Sequence, residues 1–411
     1  MIPAELLVLL PPVAALVAAM LVRRSHARMG EPQPWLDAGI VTVTLLPLAA
    51  LIAWPAVLTP ERAMMAAGLG VALLANDPRD LPQTEVALKM LWVLVAAFAL
   101  SWAGDALLAL ASGTARTPEQ WPVLALALDP FALWSAALVM SLLVGLVLLG
   151  GAPFHFWTGD LLHGARAHQA PFVAAALQVA GAAWLRHHLD GVETFHDAAT
   201  LVRSLLTLAS AVALVGGAAT LAHPSRPERR VGALVSLQGG LVLASLAARP
   251  QMDPFAAHGG LAAWGGHLVL AVGGASLLSR FLPNSVETGE RASVLFRRHP
   301  WTGAAGGYAL LSLAGAPGTP GMVLWLDVAR TLAEGRHPGL LFAMALAWLA
   351  AFGVAAATVR RAFGAPDPTR TGDDALRPVS RSLRAAFWTL AGALGLLMWA
   401  WWAGATIASG R

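Results

Sequence analysis

Lysine occurs once in this 411-residue chain, as Lys89, near the start of the apolar run 85–111. An ionisable group in such a run is costly, so it is a functional candidate by default. Two readings stand for Lys89: it carries a proton, or it reaches the membrane interface and pairs with Glu85 four residues earlier. His155 stands near Asp160 and His163, a set that would relay protons or else cap a helix end. His267 lies midway along the apolar run 256–282, where an imidazole either serves proton or water transfer or packs through a hydrogen bond. Asp327 precedes Arg330 by three residues, which suits a same-face ion pair, or it is a displaced charge on a polar path. Asp105 is about 24 Å from Lys89 along one helix, too far to pair with it, and suits an interfacial carboxylate.

Other chemistries fall away. Without cysteine there is no disulfide, no thiolate-held iron–sulfur cluster and no cysteine zinc site. A haem would need two helices with inward histidines at matched depth, and His187-His188 with the single His267 do not supply them. The expectation is no catalytic residue, no metal and no cofactor.

The elements that must position these residues are apolar. The chain is 57% hydrophobic and 12% charged, with a mean hydropathy of +0.65. Soluble domains carry about 25% charged residues. About twelve apolar segments recur, at 5–22, 37–58, 63–75, 85–111, 121–152, 169–189, 201–222, 229–247, 256–282, 302–334, 339–362 and 384–408. Most are long enough to cross a bilayer as a helix. The fold class is an all-α polytopic membrane protein of about 12 transmembrane helices. So many spans do not fit a cleaved signal peptide. The sequence pI of 10.7 comes without a basic run or a basic–aromatic patch, so nucleic acid is not a partner and the lipid bilayer is.

The arginines cluster in alternate loops, which is an orientation signal. With the N-terminus outside, the inner loops hold Arg23, Arg24, Arg28, Arg79, Arg166, Arg226, Arg229, Arg230, Arg291, Arg297 and Arg298. The last inner loop adds Arg360, Arg361, Arg370, Arg377 and Arg381. Outer loops keep scattered ones such as Arg62, Arg116, Arg186, Arg203, Arg249 and Arg336. This places a multi-pass chain in a bacterial inner (plasma) membrane with both termini periplasmic.

Two segments are interrupted by Gly and Pro at membrane depth: Gly150 to Trp157, with Pro153 and His155, and Gly315 to Gly321, with Pro317. Unwound backbone is tolerated there only where protein or water satisfies it, and a pair of such breaks marks inverted repeats around an ion or substrate path. The repeat halves would be 85–189 and 229–362. Kinks that merely help packing are the plainer alternative.

These motifs resemble the antiporter-like membrane subunits of respiratory complex I, multisubunit cation/proton antiporters and membrane-bound hydrogenases. Pro153-Phe-His-Phe-Trp157-Thr158 with Asp160 and Gly164-Ala165 is similar to the family's segment after its first broken helix. Glu85-Val-Ala-Leu-Lys89 with Gly104 and Ser112-Gly113 resembles the preceding helix. Arg229-Arg230 with Ala233 and Ser236 resembles a third. Arg297-Arg-His-Pro300, Leu310 to Pro317 and Gly321 resemble the second broken helix. The pattern covers about 63–408 and is most like bacterial complex I subunit N. The resemblance divides the chain into trimmed amino-terminal helices (1–62), an antiporter-like core (63–362), and a cytoplasmic loop with the final helix (363–411).

The resemblance also implies an axis of buried lysines, and here most are missing. The family's broken-helix lysine falls on Leu148, the next helix's lysine on Gln178, and the lysine after the second break on Trp325. The glutamate helix maps to Met64–Ala75, which has no acid. Lys89 alone matches a family lysine. The expectation is a non-catalytic membrane subunit of an NADH:quinone oxidoreductase-like complex, degenerate in proton translocation and structural or coupling in role. The alternative is an active translocator with a rewired axis of Lys89, His155, His267 and Asp327, with Gln178 orienting water. Expected partners are the other membrane subunits of a complex I-like, antiporter, hydrogenase or inorganic-carbon assembly.

Overall fold

A computed structural model describes residues 4–409 except 27–33, 56–58, 76–80, 127–130, 283–298, 364–378 and the single positions 116, 152, 224 and 251. Arg28, Arg79, Arg116, Arg291, Arg297, Arg298, Arg370, Arg377 and most of the polar loop 364–382 lie outside the described residues.

The described chain is helical, without a strand among the described residues. Its helices are α1 (Ala4–His26), α2 (Pro34–Ala53), α3 (Pro60–Ala75), α4 (Leu81–Ser112), α5 (Thr117–Leu126), α6 (Phe131–Leu149), α7 (Phe156–Gly164) and α8 (Ala170–Leu189). They continue as α9 (His196–Ala222), α10 (Pro227–Ala248), α11 (Gly260–Ser279), α12 (Pro300–Leu313), α13 (Pro320–Glu334), α14 (Pro338–Phe363) and α15 (Arg381–Ser409). Among the described residues, α4, α9, α10, α11, α14 and α15 are long and apolar enough to cross a membrane. With these spans the chain is a polytopic membrane protein.

The segment 121–152, read from sequence as one span, is two helices. α5 runs to Leu126 and α6 from Phe131, and residues 127–130 lie outside the described residues. The run 302–334 is likewise divided, into α12 and α13, by 314–319. α6 and α7 are parted by 150–155.

Helices α8, α10 and α11 form the centre and are buried along nearly all their length. Their sequences are rich in Gly and Ala, because in lipid, helix association depends on close backbone approach rather than on a hydrophobic drive. A Cβ placed on Gly181 of α8 would lie 2.8 Å from the Leu148 Cβ of α6. The outer helices α4, α9, α14 and α15 each bury one face. They expose large apolar side chains on the other, such as Trp92, Leu208, Phe342 and Trp399, as a lipid-facing surface requires.

Candidate functional site

Each break begins at a glycine in the left-handed region, Gly150 at φ +66° and Gly315 at φ +71°. A side chain there would add strain where the chain must leave the helix. Leaving it strands carbonyls in an apolar interior, and each unmet one costs about 1–3 kcal/mol.

At the first break three side chains meet that demand. The Trp157 indole donates to the Val147 carbonyl at 2.8 Å. Gln178 Nε2, from α8, donates to the Leu149 carbonyl and to the Val235 carbonyl of α10, both at 2.8 Å. Ser236 Oγ, also from α10, donates to the Gly150 carbonyl at 2.6 Å.

The second break is served in the same way. Gln238 Nε2 of α10 donates to the Leu313 carbonyl at 2.8 Å. The Trp348 indole of α14 donates to the Gly315 carbonyl at 2.9 Å. Thr319 Oγ1 donates to the Ala316 carbonyl. Gly321 is needed for close approach, since a Cβ there would fall 1.7 Å from the Ser312 carbonyl oxygen.

His267 of α11 is fully buried, with Nε2 3.0 Å from Ser312 Oγ of α12. Ser312 Oγ also accepts from the Gly321 N–H. His267 Nδ1, Gln178 Oε1 and Gln238 Oε1 are buried without a partner among the described residues.

Two positions that the resemblance equates with family lysines are filled by packing. Leu148 is 1% exposed and lies against Gly181. Trp325 is 3% exposed and its ring covers Gly315, where a Cβ would lie 2.3 Å from it.

The charged candidates sit at the two ends of the bundle. Lys89, half exposed two turns into α4, bonds Glu85 at 2.7 Å and Asp160 of α7 at 3.4 Å. Arg229 of α10 approaches the other Asp160 oxygen at 3.5 Å, so one carboxylate serves two cations from two helices. His163 is paired with Arg226 at 2.9 Å. His155 bonds neither Asp160 nor His163, and its side chain does not cap α7; its carbonyl accepts from Thr158 Oγ1. Asp327, at the opposite end, bonds His258 Nδ1 at 2.9 Å. The Arg330 partner is Glu334, at i,i+4, rather than Asp327. The far-end location of Asp105 holds, and it meets His188 of α8 at 3.2 Å.

Among the described residues no hydrogen bond or ion pair joins any two of Lys89, His155, His267 and Asp327. Sequence reasoning missed Gln238, and it held Ser236 and Ser312 only as motif residues without a role. A lone Gln within the apolar run 229–247 was signal enough to find Gln238.

No family model matches the chain. The chain is 32% identical over 283 residues to NADH-quinone oxidoreductase subunit N of Cereibacter sphaeroides, covering 68% of this chain and 58% of that protein. It is 29% identical over 308 residues to subunit N 1 of Solidesulfovibrio magneticus, covering 72% and 62%. It is 28% identical over 219 residues to subunit N of Halorhodospira halophila, covering 52% and 44%. The aligned parts thus span between 44% and 62% of those relatives' lengths. In fold it matches a chain of respiratory complex I from Thermus thermophilus with bound aureothin (TM-score 0.65, 22% identity, 95% of this chain and 83% of that one). It also matches a chain of the Mrp complex from Dietzia sp. DQ12-45-1b (TM-score 0.67, 14% identity, 96% and 79%). The chain is therefore a membrane protein, helical throughout its described residues, related in sequence to NADH-quinone oxidoreductase subunit N, with a fold like that of a chain of respiratory complex I and a chain of the Mrp complex.

Proposed function

We propose that the chain is an antiporter-like membrane subunit of a multisubunit energy-converting complex of the NADH:quinone oxidoreductase kind, structural or coupling in role, with no proton path of its own. The observation that carries this reading is Gln178. It stands where the family places a lysine, and it spends both amide hydrogens on backbone carbonyls of two helices. A neutral amide committed in this way has no proton to hand on. Leu148 and Trp325 support the same reading, because their side chains fill the other lysine positions as core. Lys89 fits as a fixed interfacial charge that ties α4 to α7, beside Arg229 of α10. The neighbours in the membrane would be other subunits of the same assembly, met through the exposed apolar faces of the outer helices. The arginine-rich end of the bundle would face the cytoplasm of a bacterium.

The rival reading, a rewired translocator, is favoured by one observation: His267 is fully buried and its Nδ1 has no partner among the described residues. Proton uptake by the reconstituted complex separates the two. With a structural role, Lys89→Ala and His267→Ala leave uptake unchanged once assembly is matched. A loss of about a hundredfold or more in the assembled complex, the usual scale for removing a transfer group, would sink the structural reading.

A further inference from the structure

We propose that the mouth between α12 and α15 binds the phosphate headgroup of an anionic phospholipid. A cavity of about 480 Å³ opens there, lined by His299, Trp301, Arg381, Arg384 and Trp388 among others. It lies at the first turns of both helices, α12 starting at Pro300 and α15 at Arg381, so two positive helix ends flank it. Arg384 Nε is buried without a hydrogen-bond partner, and among the described residues no carboxylate pairs with Arg381 or Arg384. Two cationic side chains with no paired carboxylate among the described residues, around one cavity, call for a multivalent oxygen anion such as phosphate.

Position and surroundings favour a lipid over free phosphate. The α15 start shares an end of the bundle with Lys89, because the far end of α15 brings Trp401 against His258, the partner of Asp327. Trp301 is 73% exposed and Trp388 50%, and amphipathic rings of this kind sit at headgroup level. Below Trp388, the exposed face of α15 runs through Gly392, Gly395 and Leu396 to Trp399. Nothing lies within 4 Å of where a Cβ on either glycine would be, so the face is a shallow apolar track between two tryptophans. A headgroup on the arginines would lay an acyl chain along it. Basic pockets between transmembrane helices are where anionic headgroups are generally held.

The test uses the full chain, purified and delipidated, with native mass spectrometry reading retained lipid and a thermal melt reading stabilisation. Wild type retains phosphatidylglycerol and melts higher with it, and phosphatidylcholine does neither. R381Q/R384Q weakens retention by about tenfold or more, since two surface cations are lost. R360Q, at the same end but outside the cavity, leaves retention within about twofold, and R381K/R384K keeps it. The proposal falls if R360Q weakens retention as much as the paired glutamines do, or if the paired lysines lose the lipid as completely. It falls equally if phosphatidylcholine is held as well as phosphatidylglycerol, or if inorganic phosphate at matched concentration gives the same stabilisation.

Discussion

A glutamine amide and a lysine ammonium both donate hydrogen bonds, but only the ammonium can pass its proton on. That difference makes Gln178 the informative residue of the chain. Replacing it with leucine strands the Leu149 carbonyl, at about 1–3 kcal/mol by soluble-protein measure, and removes a second bond from the Val235 carbonyl inside α10. Hydrogen bonds in membranes measure nearer about 0.6 kcal/mol, so Q178L is expected to lose about 1–3 kcal/mol in all, read from denaturant unfolding. Q178E should lose more at neutral pH, because its charged oxygens would face two carbonyl oxygens. Protonation restores one donor, so Q178E gains stability as pH falls, whereas Q178L does not. At this scale sequence spacing was only partly informative. It singled out Gln178 through the family resemblance, yet it paired Asp327 with Arg330, and the fold instead brings His258 to Asp327 from 69 residues away. A contact of that range leaves no trace in local spacing.

Helix breaks were far more legible than their partners, because Gly and Pro interrupt a helix through backbone sterics that need no tertiary context. What the sequence did not reveal was how the stranded carbonyls would be met, since the donors come from other helices. Close approach at the breaks makes a sharp expectation. A Cβ at Gly239 would lie 2.1 Å from the Leu149 carbonyl oxygen, and one at Gly321 would lie 1.7 Å from that of Ser312. Both neighbours are backbone, so G239A and G321A should each cost at least about 1–3 kcal/mol and lower the yield of monodisperse protein on size exclusion. Gly353 has nothing within 4 Å of the same point. G353A should be neutral or stabilising by up to about 1 kcal/mol. Equal effects at all three positions would contradict the packing described. The division of 121–152 into α5 and α6 is not legible in overall apolarity, which does not say where one helix stops.

For the molecule as a whole, the twelve apolar segments and their arginine bias gave the helical membrane architecture directly from composition. The pairings at each end follow the same alternation, with Lys89, Asp160, Arg226 and Arg229 together and Asp105, His188, Asp327 and His258 opposite. Because the chain lacks cysteine, single cysteines at the two ends of α9 can test the orientation. E193C should react with a membrane-impermeant maleimide from outside intact spheroplasts, and H223C only after lysis. The reverse pattern would invert the topology. Helix α10 has a consequence at this scale. Val235 and Ser236 serve one break and Gln238 the other, within about 4.5 Å of helix axis. So short a stretch cannot shift to suit one interruption without pulling on the other. The two interruptions therefore share one buried rod, and a substitution that displaces α10 at either is expected to disturb the other.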